Sequence, residues 1–312
     1  MISRGIWEMT IPKFKLPGKI RINPIVKKDL KVISRSMKIA WAVFAYEMVL
    51  AIIFFFAVYV IFDAMSSYGY TSDYQEFMAL FPIIAGVEFA IIALVMPIIT
   101  ASAISGEKEK QTFDLLMTTV MTPRAIVRGK VESAVIRMMV FIIGSIPLMA
   151  LAFTIGGLSW WNLAVTMVAF LIFAILTGSI GIFASTLTKK SITAIILTYV
   201  FYFIFANMSI VPTLIVVFTS TFSPVNVISI LMLINPVTAV IEMFLLMLGG
   251  DTLFQGNPLG FWSGWGWVVL SGVTMLLMSW GLQMLAAWRI DPLHGYIIVQ
   301  KKKKKVKGVA LN

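Results

Sequence analysis

Six apolar stretches of bilayer length, basic residues confined to one side of them and a charged content of only 12% predict an all-α integral membrane protein with six transmembrane helices. Soluble chains carry about 25% charged residues, whereas 60% of these 312 residues are hydrophobic. A bilayer core of about 30 Å takes about 20 helical residues to cross. The runs long enough are 39–62, 80–104, 133–155, 163–187, 192–218 and 265–288. Backbone N–H and C=O groups have no partner in hydrocarbon, so each run is read as a helix. The chain has no cysteine, which excludes a disulfide framework and a thiolate metal site. His294 is its single histidine.

Residues 1–38 are polar and basic and lack the early apolar core of a cleavable signal peptide, so they are expected to stay in the cytoplasm. From Pro24 onward, Ile25, Val26, Leu30, Ile33 and Met37 form an approximate stripe with Lys and Arg behind it, which predicts an N-terminal interfacial helix before the first span. With this end inside, six crossings put all 25 Lys and Arg on or near the cytoplasmic side and none in the external segments 63–79, 156–162 and 219–264. A further apolar run, 225–248, is interrupted by Asn235-Pro236 and carries Glu242. If it crossed, Arg289 and the lysines of 301–305 would emerge outside, so it is predicted to be re-entrant or to lie as helices on the outer face. The organisation expected is a cytoplasmic tail and interfacial helix (1–38), a six-span domain (39–288) containing the outer segment 219–264, and a basic cytoplasmic tail (289–312). That describes a multi-pass protein of the cell membrane with both termini inside. Asp63, Asp73, Glu76, Glu242 and Asp251 should make the outer face acidic, and Trp160, Trp161, Trp262, Trp265 and Trp267 should form its aromatic belt. Ala174, Gly178 and Gly181 predict a close helix approach in the fourth span.

The segment 105–130 is a charged island between the second and third spans, and it cannot lie in lipid. Phe113, Leu116, Met117 and Val120 fall on one stripe of an α-helix, with Glu107, Lys108, Glu109, Lys110 and Gln111 crowded into its first turns. Thr118 and Thr119 form helix poorly, and Thr122-Pro123 is a start signal: a hydroxyl at the cap and a proline at the first helical position. The pattern predicts a short amphipathic helix, a break, and a long helix returning to the membrane.

The run from Ala101 through Glu107, Lys108, Glu109, Gln111, Thr112, Phe113, Asp114 and Leu116, followed by Thr122-Pro123 and Gly129-Lys130, resembles the membrane subunits of type-2 ATP-binding-cassette transporters. The resemblance covers about thirty residues: a small-residue lead-in, a Glu-basic-Glu core, a Thr-hydrophobic-acid-Leu-Leu continuation and a Gly-Lys ending. It implies that 105–130 is the cytoplasmic coupling segment that docks a separate nucleotide-binding ATPase. It also implies a second permease subunit, identical or not, with the translocation path between the two. Lys108 and Lys110 stand where arginine is frequent in the family, and Pro123 comes slightly late. The chain itself has no phosphate loop and no catalytic carboxylate, zinc or serine-nucleophile motif. It is therefore read as a non-enzyme with no cofactor of its own, ATP and Mg being expected on the partner, and lipid rather than nucleic acid around it.

Within the spans, Glu47, Glu88 and Arg137 each cost about 2.5–3.5 kcal/mol at a helix centre and call for a reason. Glu47 and Arg137 lie at similar depth, so they can pair, or Arg137 can snorkel alone to the headgroups. Glu88, in the outer third of the second span, has no basic residue at its depth and must be protonated, hydrogen-bonded or facing a wet cavity. Asn207 reads as a hydrogen-bonding link between helices. Two other function classes compete with the exporter subunit. A membrane scaffold would use the same docking helix for a different partner; a proton-coupled secondary transporter would use Glu88, but the expected internal repeat is missing.

Overall fold

The computed structural model describes residues 26, 37–68, 74–113, 122–211, 213–214, 225–250, 253 and 264–291. Every regular element among them is helical. They are α1 (Met37–Tyr68), a 3-10 turn (Tyr74–Ala79), α2 (Leu80–Glu109), α3 (Pro123–Ile155), α4 (Trp160–Leu187), α5 (Ser191–Asn207), α6 (Val225–Met232), α7 (Pro236–Met247) and α8 (Trp265–Ile290). Five of these, α1 to α4 and α8, are long and apolar enough to cross a membrane, and the protein is a multi-pass membrane protein. At 17 residues α5 is about 26 Å long, short of the bilayer core. The expected fifth span, 192–218, runs past its end into residues described only in part. The predicted interfacial helix, apart from Val26, and the tail after Asp291 lie outside the described residues.

Helix ends follow the local chemistry of the sequence. Thr122 caps α3, its Oγ1 accepting the Ala125 N–H at 3.3 Å, and Pro123 is the first helical residue. Ser159 caps α4 in the same way through the Trp161 N–H. The second helix differs from expectation. It runs without interruption through the small residues 101–106 to Glu109, so Glu107, Lys108 and Glu109 form its last turns rather than the first turns of a separate amphipathic helix. Ala, Ser and Gly there do not break a helix that already carries hydrogen bonds from the membrane outward. The break comes at Gln111, which takes the left-handed conformation at φ 58°.

The centre of the bundle is α4, the most enclosed of the long helices. Its small stripe lies against α2: a Cβ added at Gly178 would stand 2.8 Å from Met96 Cε, and one at Gly181 would collide with the Thr100 hydroxyl. One turn on, Ser185 Oγ accepts the Ile104 and Ser105 N–H groups at 3.0 and 2.8 Å. Nearer the other end, Phe89 and Phe173 stack at 4.1 Å. The close approach expected of Gly178 and Gly181 is therefore the α2–α4 seam.

The run 225–248 breaks where Asn235-Pro236 predicts. Asn235 Oδ1 accepts the Val237 N–H at 3.0 Å and caps α7. Helices of 8 and 12 residues reach only about 12 and 18 Å, so neither crosses. They pack on α8: Trp267 Nε1 donates to Ser229 O at 2.9 Å and Ser271 Oγ to Leu233 O at 2.9 Å. Two expectations are corrected here. Trp267 is fully buried as the anchor of α6, not part of a lipid-facing belt, whereas Trp160 and Trp161 remain exposed. Glu242 is buried too, its Oε2 accepting the Leu253 N–H at 2.8 Å, so its carboxyl does not lie on the surface as expected.

Candidate functional site

Four helix ends meet at the basic end of the bundle: the last turn of α2, the first of α3, the last of α4 and the first of α5. The turn from α4 to α5 is only Thr188, Lys189 and Lys190 long. Neither flanking helix end caps itself. Lys190 stands at the N-cap of α5 without a side-chain acceptor, and the final carbonyls of α4 point out of their helix. Both are satisfied from α2. Lys108 Nζ donates to Thr186 O at 2.6 Å and to Thr188 O at 3.4 Å. Glu109 Oε2 accepts the Ser191 N–H at 3.0 Å and its hydroxyl at 2.7 Å. A cation therefore sits at a helix C-terminus and an anion at a helix N-terminus, the signs that the two helix dipoles favour. Two donors on one oxygen also favour the ionised carboxylate of Glu109.

The adjacent residue ties α2 to α3. Lys130 Nζ meets Glu107 Oε1 at 2.6 Å, with both side chains largely screened from solvent. By contrast Arg128–Glu132, at 2.7 Å, is an exposed i,i+4 pair on α3, a kind worth only a few tenths of a kcal/mol. Beyond Lys110 the chain turns: the Thr112 N–H and hydroxyl both return to Glu107 O. Phe113 then packs half-buried against the core, with Lys108 Nζ 5.6 Å from its ring centroid. Gln111 is exposed, Pro123 opens α3, and Asp114 and Leu116 lie outside the described residues. Of the residues read as coupling, Glu107, Lys108 and Glu109 thus bond to other helices, while Thr112 bonds back to Glu107 and Phe113 packs on the core. Lys130 ends the segment read as coupling, but Thr186, Thr188 and Ser191, which complete the junction, were not foreseen as its members. Capping residues are normally sought within a turn of the helix they cap, and these partners lie about eighty residues away.

The intramembrane polar residues sort among the alternatives that the sequence leaves open, with Asn207 the exception. Among the described residues the ion pairs are Arg128–Glu132 and Lys130–Glu107, and the Glu47–Arg137 pair allowed by depth is not among them. Arg137 Nη2 lies 3.5 Å from Ser133 Oγ, one turn toward the basic end. The Glu47 carboxyl instead lies over Gly144, where a Cβ would come within 2.6 Å of Oε1. Glu47 therefore stands beside α3 seven residues, or about 10 Å of helix axis, beyond Arg137, so the equal depth obtained by counting residues along each span does not hold. Glu88, fully buried, meets Ser145 of α3. Asn207 Nδ2 donates to Phe203 O of its own helix rather than across to another. No three His, Cys, Asp or Glu side chains converge as metal ligands among the described residues.

The family model for ABC-2 family transporter proteins matches residues 23–287. No curated protein matches the chain.

Proposed function

Because the chain belongs to the ABC-2 family of transporter proteins, we propose that it is the transmembrane half of an ATP-binding-cassette exporter, docking a separate ATPase through residues 105–130. ATP and Mg belong to that partner, and this chain hydrolyses nothing by itself. A second permease subunit, identical or different, completes the translocation path. The basic end faces the cytoplasm with both termini, in the cell membrane, and α5 with the residues following it makes the sixth crossing.

The observation that carries this reading is the double cap. A push on the 112–122 connection moves the ends of α2 and α3 that flank it. Lys108 and Glu109 grip the α4–α5 turn from both sides, so the displacement reaches α4 and α5 as well. Rigid helices then carry it across the bilayer. In this reading Glu107, Lys108 and Glu109 transmit motion, and the stretch from Gln111 through Asp114 and Leu116 to Pro123 offers the contact surface.

The test is reconstitution in lipid nanodiscs with the candidate ATPase from the neighbouring gene. The expected result is no hydrolysis by the permease alone and sustained hydrolysis by the complex. Hydrolysis by the purified permease alone, or an ATPase that neither binds nor responds to it, overturns the reading. Orientation is checked separately, since the chain has no cysteine. Ser223→Cys and Asn257→Cys should both react with an impermeant thiol reagent outside intact cells, and labelling of Asn257→Cys only after permeabilisation would show 225–248 to cross.

A further inference from the structure

Midway through the bundle, far from the basic junction, three helices bring polar groups to one point. Ser145 Oγ of α3 lies 2.7 and 2.8 Å from the two carboxyl oxygens of Glu88 on α2, and 2.9 Å from Ile142 O in its own helix. Both residues are fully buried. From α1, the buried Tyr46 hydroxyl and the Glu47 carboxyl stand beside this pair. The Tyr46 hydroxyl and Glu47 Oε1 have no hydrogen-bond partner among the described residues.

Counting hydrogens decides the chemistry. A serine hydroxyl has one hydrogen, and here three acceptor oxygens surround it. If Glu88 were ionised, two carboxylate oxygens and a carbonyl would compete for that hydrogen, and a buried charge would be left with two neutral donors at most, Ser145 and the Tyr46 hydroxyl beside it, and with a second carboxyl, Glu47, close by, a costly arrangement. If Glu88 carries a proton, the count closes. Its O–H donates to Ser145 Oγ, and the Ser145 O–H donates to Ile142 O. An interposed metal cation fits poorly, because oxygens in mutual hydrogen-bond contact leave no room between them. No cation among the described residues compensates either. Among the charged and titratable groups on the surrounding helices, α1 offers Tyr46 and Glu47, neither of them basic. The nearest base on α3 is Arg137, eight residues or about 12 Å of helix axis toward the basic end. α4 offers only apolar Phe173 beside Phe89, and α5 adds Tyr202 behind it.

We propose that Glu88 and Ser145 form an intramembrane proton-binding site: a neutral carboxyl whose single proton, taken from water, fastens α2 to α3 beside Tyr46 and Glu47 of α1. Loss of the proton sets two carboxylates against each other across the α1–α2 contact and loosens all three helices. The site is independent of the exporter reading, because it would operate whatever the basic end binds.

The experiment is infrared spectroscopy of the full chain in lipid nanodiscs, following the carbonyl stretch of a protonated carboxylic acid, with thermal unfolding between pH 6 and pH 9 in parallel. The native chain should show the band near neutral pH and lose it on raising pH, with Tm falling together with it. Glu88→Gln, which keeps the size and a donor, should abolish the band and flatten the Tm profile, and Glu47→Gln should lose the band at lower pH than the native chain, because it removes the carboxylate that opposes ionisation of Glu88. If Glu88→Gln does not fold, Ser145→Ala serves instead, and should keep the band at a shifted frequency. No protonated-acid band in the native chain, a band untouched by Glu88→Gln, a band abolished by Glu47→Gln, or one unmoved by Ser145→Ala would each overturn the proposal.

Discussion

The α2–α4 seam and α1 are equally apolar, yet they are bound to the bundle in different ways. Along the seam, Gly178, Gly181 and Ser185 let two backbones approach until side-chain atoms of one helix touch the glycines of the other. On α1 the side chains are large. Leu50 and Phe54 are buried, while Trp41, Ile52, Phe55, Phe56 and Tyr59 are each about two-thirds exposed on the monomer surface. Lipid tails are as apolar as leucine, so large side chains gain little by leaving lipid for protein. Hydrophobicity places both helices in the membrane; small residues decide which of them forms a spine. α1 depends on a narrow flank that includes Tyr46, edge-to-face on Phe141 at 5.4 Å, and Glu47 over Gly144.

Substitutions should separate these two modes of attachment. The largest effect is expected at Gly181→Val, because the Thr100 hydroxyl and a backbone N–H stand where the new side chain must go. Overpacking costs about 1–3 kcal/mol in ordinary cores and more where backbone must move, and monodisperse protein after detergent extraction should be mostly lost. Gly178→Ala meets only the flexible end of Met96 and should lower Tm modestly. On α1, Ile52→Val should change stability by no more than about 0.5 kcal/mol. If Gly181→Val is tolerated as well as Ile52→Val, the seam is not the spine.

The basic junction sharpens the contrast, because it should matter for coupling more than for folding. Lys108→Met together with Glu109→Met removes both caps while leaving the seam intact. The expected outcome is normal insertion and ATPase binding with transport-linked hydrolysis reduced severalfold. Hydrolysis and transport both unchanged would assign the caps to structure alone.

Much of this architecture is legible in the sequence, because its causes are local or additive. Bilayer-length apolar runs give the spans, Thr122-Pro123 and Asn235-Pro236 give helix starts, and Gly178 with Gly181 marks a seam. What sequence could not supply is rotational phase and how far each helix is slid past its neighbour. Glu47 stands over Gly144, about 10 Å along α3 from Arg137, although residue counting puts the two at one depth. Trp267 sits among belt residues in the chain, yet its ring turns inward to Ser229. Glu107, Lys108 and Glu109 read as a partner surface because they are charged and follow a span; the helix carries them one turn further and aims Glu107 at Lys130 and the other two at groups about eighty residues away. Glu88 demanded an explanation from burial alone, but Ser145 as its partner follows only from how α2 and α3 face each other.

The double cap also has a history in time. Lys108 and Glu109 leave the ribosome about eighty residues before Thr186, Thr188 and Ser191, an interval of roughly 4–16 s at synthesis rates of about 5–20 residues per second. During that interval α2 and α3 can already be inserted, with the two charges still in water beside the headgroups. Fastening waits until the loop between α4 and α5 has been made. The junction therefore closes late in biogenesis, and closing it records that four helix ends have reached the same side of the membrane.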